Sequence, residues 1–387
     1  MLDGTIDRNA LSDEDFRQAF RSWLEAHYPD EWRKPIVFRL RGEEEKRWLR
    51  MLHAHGWRLP AWPKVHGGMG LSMAKQIIYH EELERYGAAR FLDSGGVLLG
   101  PILIQYGTPE QQQKYLPEIL RGDVIWSQGY SEPNAGSDLA SLKTSAMRDG
   151  DHFVVNGSKI WTTMVAESAR MFLLVRTSQE ARKQQGISFF LMDMDTPGLT
   201  IRPIENLAGD DEFGQVFFDN VRIPAENLVS DLGAGWNVAK ALLGVERISA
   251  GSPGLSRHAF DIFERLVGEL GLASDPIVCE LHARLYCDLA DFTALYEHVA
   301  EAAVRGEAEG EALSALKILS SETFQRMSDA AMQIASEHAG VLGATRIGAL
   351  EAELHRVYMI ARPASIYGGA NEIQRDIIAR AILGKAA

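Results

Sequence analysis

The order of hydrophobic periodicities along the chain constrains its fold most strongly. Residues 1–124 carry helical patterns, residues 125–230 carry short β-rich runs divided by turn residues, and residues 231–387 return to the helical period. We therefore predict an α+β protein with three domains at these bounds. An N-terminal α-helical domain precedes a central antiparallel β domain, of the barrel or sandwich kind, and a C-terminal helical bundle.

Local patterns place individual elements within these domains. Residues 13–27 and 74–86 have the helical period, and the helical period after residue 235 is expected to persist to the end of the chain. The apolar runs expected to be strands are 152–155, 171–175, 187–191 and 216–218. The pairs expected to be turns are Asn156-Gly157 and Asp219-Asn220, together with Thr196-Pro197-Gly198, and Asn156-Gly157 is expected to close a hairpin.

The charge balance excludes two classes of partner. A formal net charge of −13 argues against a nucleic-acid groove, which needs clustered Lys and Arg, and against an anionic membrane surface. No apolar run reaches the roughly 18 residues of a membrane-spanning helix. The N-terminal residues 1–4 are acidic and lack the apolar stretch of an export signal, so we expect a cytoplasmic protein.

Cysteine usage indicates neither a disulfide framework nor a metal site. Cys279 and Cys287 are the only cysteines, and His282 lies between them. Eight residues apart in a helical stretch, they are too distant to bridge and too few to form a metal set. We expect two free, half-buried thiols in a reducing compartment.

The strongest local signal lies in residues 126–138, where Pro133 and Gly136 shape a loop rich in backbone N–H groups. Such a loop can bind the edge of a flavin ring or a phosphate without net positive charge. The alternative interpretation is a Pro/Gly connection between strands.

A second segment follows in residues 156–163, where Trp161 is accompanied by Thr162 and Thr163. A tryptophan can cover one face of a flavin while a threonine hydroxyl bonds its edge. Taken alone, Trp161 is more often a core residue than a cofactor contact.

Together the two segments resemble the acyl-CoA dehydrogenase family. Its Tyr/Ser/Thr-Glu-Pro-x-Ala-Gly-Ser-Asp stretch and its Asn-Gly-x-Lys-x-Trp-x-Thr stretch both occur here at the expected separation. Further similar segments extend over nearly the whole chain and lie at residues 56–72, 106–111, 217–224, 235–236 and 367–375.

The resemblance implies a C-terminal four-helix bundle and FAD bound between that bundle and the β domain. Hydride would pass from Cβ of an acyl-CoA thioester to flavin N5, with electron-transfer flavoprotein as the acceptor of the electrons. The residues implied to contact FAD or the bound thioester are Gln128, Tyr130, Ser131, Gly136, Ser137, Trp161, Thr163 and Glu372.

The family's chemistry also needs a carboxylate that takes a proton from Cα. Most relatives supply it from a Tyr-Glu-Gly-Thr segment, but the chain has Tyr367-Gly368-Gly369-Ala370 there. Glu246 is the alternative candidate, because it interrupts an otherwise apolar or small helical row that includes Val238 and Leu242. From the pattern alone, a solvated or ion-paired helix glutamate remains equally open.

The resemblance favours Glu246 as the base, because a branched- and long-chain subset of the family places its base in this helix, immediately before an arginine. Arg247 and Tyr367 are implied to bind the substrate. Gly368 keeps the backbone N–H that helps to polarise the thioester carbonyl, and its missing side chain leaves room for a bulky or branched acyl group.

The resemblance further implies a tetramer, and we expect a partner paralogue as in the α2β2 dehydrogenases of steroid side-chain breakdown. Homotetrameric relatives complete each FAD with a neighbour's Arg-x-x-Phe-Gly and Gln-x-x-Gly-Gly segments. Residues 266–275 here contain no arginine, and Ser336 replaces the glutamine of the second segment. The alternative is a homo-oligomer that uses Arg257 or Arg265.

Three other functions compete with this one. A catalytically silent subunit of a dehydrogenase complex is consistent with the missing Tyr-Glu. An acyl-CoA oxidase that passes electrons to O₂ is not excluded, although such enzymes are usually longer. The DNA-associated branch of the family fits poorly with the net charge of −13 and the absence of a basic tail.

Overall fold

The computed structural model describes residues 7–89, 91–242 and 251–384, and this part contains eleven α-helices. The helices are α1 (Asp13–His27), α2 (Gly42–Ala54), α3 (Met73–Tyr86), α4 (Gly100–Tyr106), α5 (Pro109–Arg121), α6 (Gly235–Leu242), α7 (Gly254–Glu269), α8 (Pro276–Val304), α9 (Gly310–Ala335), α10 (Leu354–Ala361) and α11 (Asn371–Leu383). A π-helix covers Ser94–Leu99.

Ten strands lie in the same part of the chain. They are β1 (Trp126–Gly129), β2 (Ser145–Asp149), β3 (His152–Thr163), β4 (Arg170–Arg176), β5 (Ile187–Asp193), β6 (Leu199–Ile204), β7 (Phe213–Pro224), β8 (Leu228–Val229), β9 (Thr345–Ile347) and β10 (Leu350–Ala352). The succession of helices, sheet and helices confirms the predicted α+β fold class.

The first helix shows why the local pattern predicts its element correctly. Ser12 caps its N-terminus by accepting a hydrogen bond from the Asp15 N–H, and Phe16, Phe20 and Leu24 bury one face. The predicted helix over residues 13–27 is confirmed by α1.

The central sheet has eight strands in the order β6-β7-β3-β2-β4-β5-β8, and β1 pairs with β4. Most pairs are antiparallel, whereas β1 and β2 each run parallel to β4. Its strands β4 and β5 are buried on both faces, so their apolar runs are nearly continuous. This sheet forms the support of the candidate site.

Two predicted turns are wrong, because Asn156-Gly157 lies inside β3 and Asp219-Asn220 lies inside β7. Between Val155 and Gly157 the register of β3 against β7 shifts, and the extra residue belongs to β7. Asn220 adopts φ +51° there, and its N–H donates to Asn156 Oδ1 at 2.9 Å. The residues that resemble turns therefore form a β-bulge that the two asparagines stabilise.

The described chain forms two compact units, each assembled from separate segments. The first comprises residues 7–11, 40–71 and 91–242, and it contains the sheet. The second comprises residues 12–39, 72–89 and 251–384, and it joins α1 and α3 to the C-terminal helices. These units cut across the sequence-based boundaries at residues 124 and 230, which remain a prediction.

The C-terminal region is not helical throughout, contrary to expectation. Strands β9 and β10 form an antiparallel hairpin, with Gly348 and Ala349 between them. Gly348 has φ +58°, a value that glycine adopts readily in a two-residue hairpin loop. The Ile-Gly-Ala-Leu sequence around this turn is the signal that the helical interpretation overlooked.

The two cysteines correct a second expectation in this region. Cys279 and Cys287 are free, as predicted, but both are exposed rather than half-buried. They lie on α8, of whose 29 residues only six are buried. Within the described residues, no helix is long and apolar enough to span a bilayer.

Candidate active site

The loop that follows β1 is organised around the carboxylate of Glu132. Its two oxygens accept hydrogen bonds from the backbone N–H groups of Lys143, at 2.7 Å, and Thr144, at 2.8 Å. The backbone of Glu132 also pairs with that of Ala135 through two hydrogen bonds of 3.0 Å. A buried acidic side chain thus holds the loop around Gly136 in one shape.

Lys159 of β3 supplies the countercharge to this carboxylate. It is fully buried, and its Nζ donates to Glu132 Oε1 at 2.8 Å and to the Tyr130 carbonyl at 3.2 Å. Burial lowers the pKa of Lys159 to about 8, against the attraction of Glu132. Burial alone would raise the pKa of Glu132, but Lys159 and the backbone donors outweigh it and lower that pKa.

The end of β3 bulges outward at Trp161. From Lys159 to Thr162 the strand advances three residues while β7 advances two, so β3 holds one extra residue. The Ile160 N–H donates to the Ser131 carbonyl at 2.9 Å instead of to β7. Trp161 adopts φ +59° and is 58% exposed, an unusual exposure for tryptophan on a strand.

Most of the predicted cofactor residues lie in the first unit. Gln128 lies on β1 and Tyr130 directly after it, where the tyrosine ring contacts Phe172 edge-on at 6.0 Å between centroids. The backbone contact of Ser131 with Ile160 joins this segment to β3. The remaining members of this set are Gly136, Ser137, Trp161 and Thr163, of which all but the half-buried Thr163 are exposed.

Two further observations indicate that this surface is shaped for a ligand. A side chain at Gly136 would meet no atom within 4 Å in the described structure. Thr162 is fully buried, and among the described residues its Oγ1 has no hydrogen-bond partner. An exposed aromatic ring, open backbone and hydroxyl groups fit a flat, polar-edged ring system.

The second unit contains the other predicted residues. Tyr367, Gly368 and Glu372 are all exposed, and Gly368 has φ +65°. In the described structure a side chain at Gly368 would also meet no atom within 4 Å. The candidate base Glu246 and its neighbour Arg247 lie outside the described residues.

Sequence reasoning missed the residues that hold these positions. Lys159 and Glu132 lie inside the two motifs, and neither is among the site residues predicted from sequence. Lys159 follows Phe153 and Val155 at even spacing on β3, so strand alternation places its side chain on the buried face. A charged residue at such a position is a signal for a buried ion pair.

The described residues contain no group of three or more His, Cys, Asp or Glu side chains that could hold a metal ion. A cavity of about 270 Å³ in the second unit is lined by residues that include Val37, Phe38, Leu350 and Val357. It contains none of the residues predicted to act in catalysis or to bind this chain's own FAD or substrate, but Arg265, the alternative cation for a neighbour's FAD, lines it.

Comparison with known proteins identifies the family. Models of the acyl-CoA dehydrogenase N-terminal, middle and C-terminal domains match residues 12–123, 127–221 and 233–383. The chain belongs to the acyl-CoA dehydrogenase family. It is an oxidoreductase acting on the CH–CH group of acyl-CoA thioesters, in a family of flavoproteins.

Similar acyl-CoA dehydrogenases match over almost the whole chain. Acyl-CoA dehydrogenase IpdE1 of Mycobacterium tuberculosis is 36% identical over 384 residues, which cover 96% of this chain and 97% of the relative. A solved structure described as the Tcur3481-Tcur3483 steroid ACAD is 30% identical, with a TM-score of 0.85 over 96% of this chain and 97% of that one. The ChsE4-ChsE5 complex from Mycobacterium tuberculosis is 27% identical, with a TM-score of 0.82 over 97% and 98%.

Proposed function

We propose that this acyl-CoA dehydrogenase oxidises a bulky or branched acyl-CoA thioester to the trans-2-enoyl-CoA, with Glu246 as base and FAD as hydride acceptor. The observation that carries the proposal is the β3 bulge, which exposes Trp161 beside the Glu132-organised loop. An apolar ring at a strained, exposed position costs free energy that a bound ring system would offset.

The resemblance assigns FAD contacts to residues of the first unit, namely Gln128, Tyr130, Ser131, Gly136, Ser137, Trp161 and Thr163. Glu372 is a further residue that the resemblance assigns to FAD. When bound, FAD accepts the hydride that leaves Cβ of the substrate. The chain's own residues orient the flavin ring and exclude water from one of its faces.

The choice of Glu246 as base rests on the sequence. Gly368 cannot supply a carboxylate, and Glu246 interrupts an apolar row immediately before Arg247. Burial in such a row would favour the protonated form, so that the group accepts a proton readily near neutral pH. Arg247 and Tyr367 would contact the thioester, while the Gly368 N–H stabilises negative charge on its oxygen.

Two features support a bulky acyl group. The open space at Gly368 leaves volume where most relatives have a glutamate. The similar Tcur3481-Tcur3483 protein is described as a steroid ACAD, so a ring-bearing acyl group is our preferred substrate class.

The oligomer proposed is a tetramer with a paralogous subunit. Residues 266–275, where relatives supply an arginine for a neighbour's FAD, contain Glu269 instead, and its Oε2 accepts the Ala349 N–H at 3.0 Å. A carboxylate repels a pyrophosphate, whereas an arginine binds it. The two similar structures reported above each carry a pair of protein names, which supports a heteromeric assembly. Electron-transfer flavoprotein is the proposed electron acceptor.

Glu246→Gln tests the assignment of the base. We expect turnover to fall at least about 10²-fold, the low end for a positioned base, while FAD content and thioester binding stay close to wild type. The control is Glu280→Gln, which removes an exposed α8 carboxylate that pairs with Arg284. Wild-type turnover in Glu246→Gln would show that another residue is the base.

Co-expression tests the oligomer. The chain should bind little FAD alone and one FAD per site when produced with a neighbouring dehydrogenase gene, as measured by flavin absorbance and native mass. A homotetramer of this chain alone with one FAD per subunit and full activity would contradict the proposal.

The second candidate is a catalytically silent subunit, favoured by the absence of a carboxylate at Gly368. If the subunit is silent, substitution of its Glu246 would leave the turnover of the active complex unchanged. Substituting Glu246 in the purified complex, and measuring turnover at each flavin, separates the two candidates.

A further inference from the structure

The segment that carries the Gly368 N–H is a turn of two left-handed glycines. Gly368 has φ +65° and Gly369 has φ +88°. Glycine pairs sample many backbone conformations, so a turn of this kind has a fixed shape only where other groups hold it. An N–H that stabilises developing charge must already point at the oxygen before the reaction.

Gln374 is the group that holds this turn. Its Nε2 donates to the carbonyl oxygens of Gly368 and Gly369, each at 3.3 Å. A Cβ at residue 369 would lie 2.6 Å from this nitrogen, so any other residue there would displace the Gln374 amide. The side chain is 2% exposed, and its Oε1 has no partner in the described part of the chain.

An amide buried with one end unpaired destabilises a fold compared with an apolar side chain of similar size. Methionine would fill the same volume without that cost. The presence of glutamine is therefore explained by its donor end, which bonds two consecutive carbonyls.

The peptide group that contains the Gly368 N–H lies between two fixed points. Before it, the Tyr367 N–H donates to the Pro363 carbonyl at 3.0 Å. After it, the Gly368 carbonyl accepts from Gln374. Within the described residues, the Gly368 N–H makes no hydrogen bond.

The N-terminal end of α11, the helix that carries Gln374, is held in place by hydrogen bonds to α9. Asn371 is 2% exposed, and its Oδ1 accepts from Lys317 Nζ at 2.7 Å. Its Nδ2 donates to Ser321 Oγ at 3.0 Å. The position of Gln374 is therefore fixed by α9, and the turn is fixed in its place by Gln374.

We infer that Gln374 is a positioning residue for the dehydrogenation: it orients the Gly368 N–H toward the thioester oxygen by bonding the two glycine carbonyls. The inference rests on the proposed function, which gives the Gly368 N–H that task. It predicts that loss of the Gln374 donor weakens polarisation of the thioester carbonyl in the bound substrate.

Gln374→Met in the FAD-loaded complex tests this. We expect kcat to fall about 10-fold or more, with KM little changed. A misaligned N–H donor gives up part of the transition-state stabilisation that is lost when the donor is removed altogether. The infrared C=O stretch of a bound ¹³C-carbonyl acyl-CoA should move to higher frequency than in the wild type. A change of stability alone would not move this band.

Gln111→Met is the matched control. Gln111 is 4% exposed, and its Nε2 donates to the carbonyls of Glu226 and Leu228 at 2.7 and 2.8 Å. Its loss also removes two carbonyl contacts of a buried glutamine, but the carbonyl band and kcat per folded enzyme should match wild type. Equal band shifts in both variants, or none in Gln374→Met, would overturn the inference.

Gln374→Glu provides a second route if the methionine variant does not fold. Its carboxylate repels the two carbonyls when ionised and donates to one when protonated, so the carbonyl band should approach the wild-type frequency on acidification. A band that equals wild type even at alkaline pH, where the carboxylate is ionised, would contradict the inference. Absence of any polarised carbonyl band and of turnover in the wild type would instead contradict the proposed function.

Discussion

The end of β3 and the Gly368–Gly369 turn solve the same structural problem with different chemistry. Each exposes a backbone with positive φ, at Trp161 and at the two glycines. The β3 bulge is secured by the buried ion pair of Lys159 and Glu132, whereas the turn is held by the neutral amide of Gln374.

The difference indicates how much restraint each segment needs. Trp161 has a side chain, so its left-handed backbone is strained, and the loop beside it must be kept in register over several residues. Glycine adopts positive φ without that strain, and two weaker hydrogen bonds suffice to select one shape. The Lys159–Glu132 ion pair also makes the β3 bulge sensitive to pH, whereas the neutral amide of Gln374 does not make the glycine turn sensitive to pH.

The largest expected effect comes from breaking the buried Lys159–Glu132 ion pair. Lys159→Met leaves Glu132 buried without its cation, and we expect the free energy of unfolding to fall by about 3–5 kcal/mol. FAD content should fall with it, because the loop at Gly136 loses its support. Urea denaturation of the chain and flavin absorbance of the co-expressed complex measure the two effects.

Lys183→Met is the control for that experiment. Lys183 pairs with Asp138 of the same loop at 2.8 Å, but both side chains are more than half exposed. Its loss should cost at most about 1 kcal/mol. Similar losses for both lysines would show that burial of the ion pair is unimportant.

A smaller effect is expected at the turn. Gly368→Ala should lower the free energy of unfolding by about 1–3 kcal/mol, because alanine is strained at φ +65° although space is open there. Gly268→Ala, in the last turn of α7, has equal space and should stabilise by up to about 1 kcal/mol. Gly368→Glu should in addition lower turnover of bulky substrates more than turnover of slender ones. An equal loss of turnover for all substrate sizes would show that Gly368 does not make room for a bulky acyl group.

The smallest effect is the loss of stability that titration of the Lys159–Glu132 ion pair causes at low pH. The folded-state pKa of Glu132 lies below its ordinary value of 4.5, so its stabilisation is present above that pH and is lost as the pH falls further. Glu132→Gln should flatten this slope by at most about 1.4 kcal/mol per pH unit. Gln374→Met should leave the slope unchanged. A slope equal to wild type in Glu132→Gln would show that the ion pair does not titrate in this range.

Local sequence predicts elements well where one interaction dominates. Ser12 and the apolar spacing of α1 are local signals that predict its helix correctly. Asn156-Gly157 is a strong turn signal, yet it lies within β3 because Asn220 of β7 bonds it across the sheet. That contact joins residues 64 positions apart, and no local pattern contains it.

In the candidate site, too, some features follow from local sequence and others depend on long-range contacts. Trp161 and the loop around Gly136 follow from motifs, but the residues that hold them in place depend on burial. Gln374 looks like an ordinary polar helix residue in sequence, but it is buried in the structure, where its helix α11 packs against α9. Glu246 stays a prediction from sequence.

We propose that this chain is a flavin-dependent dehydrogenase of a bulky acyl-CoA. The direct measurement is an anaerobic titration of the FAD-loaded, co-expressed complex with a panel of CoA thioesters, from short linear acids to ring-bearing steroid side chains. We predict loss of the oxidised-flavin absorbance with a bulky thioester and formation of its 2-enoyl product, both abolished by Glu246→Gln. Flavin that stays oxidised with every thioester, or that is reduced equally by the Glu246→Gln complex, would contradict the account.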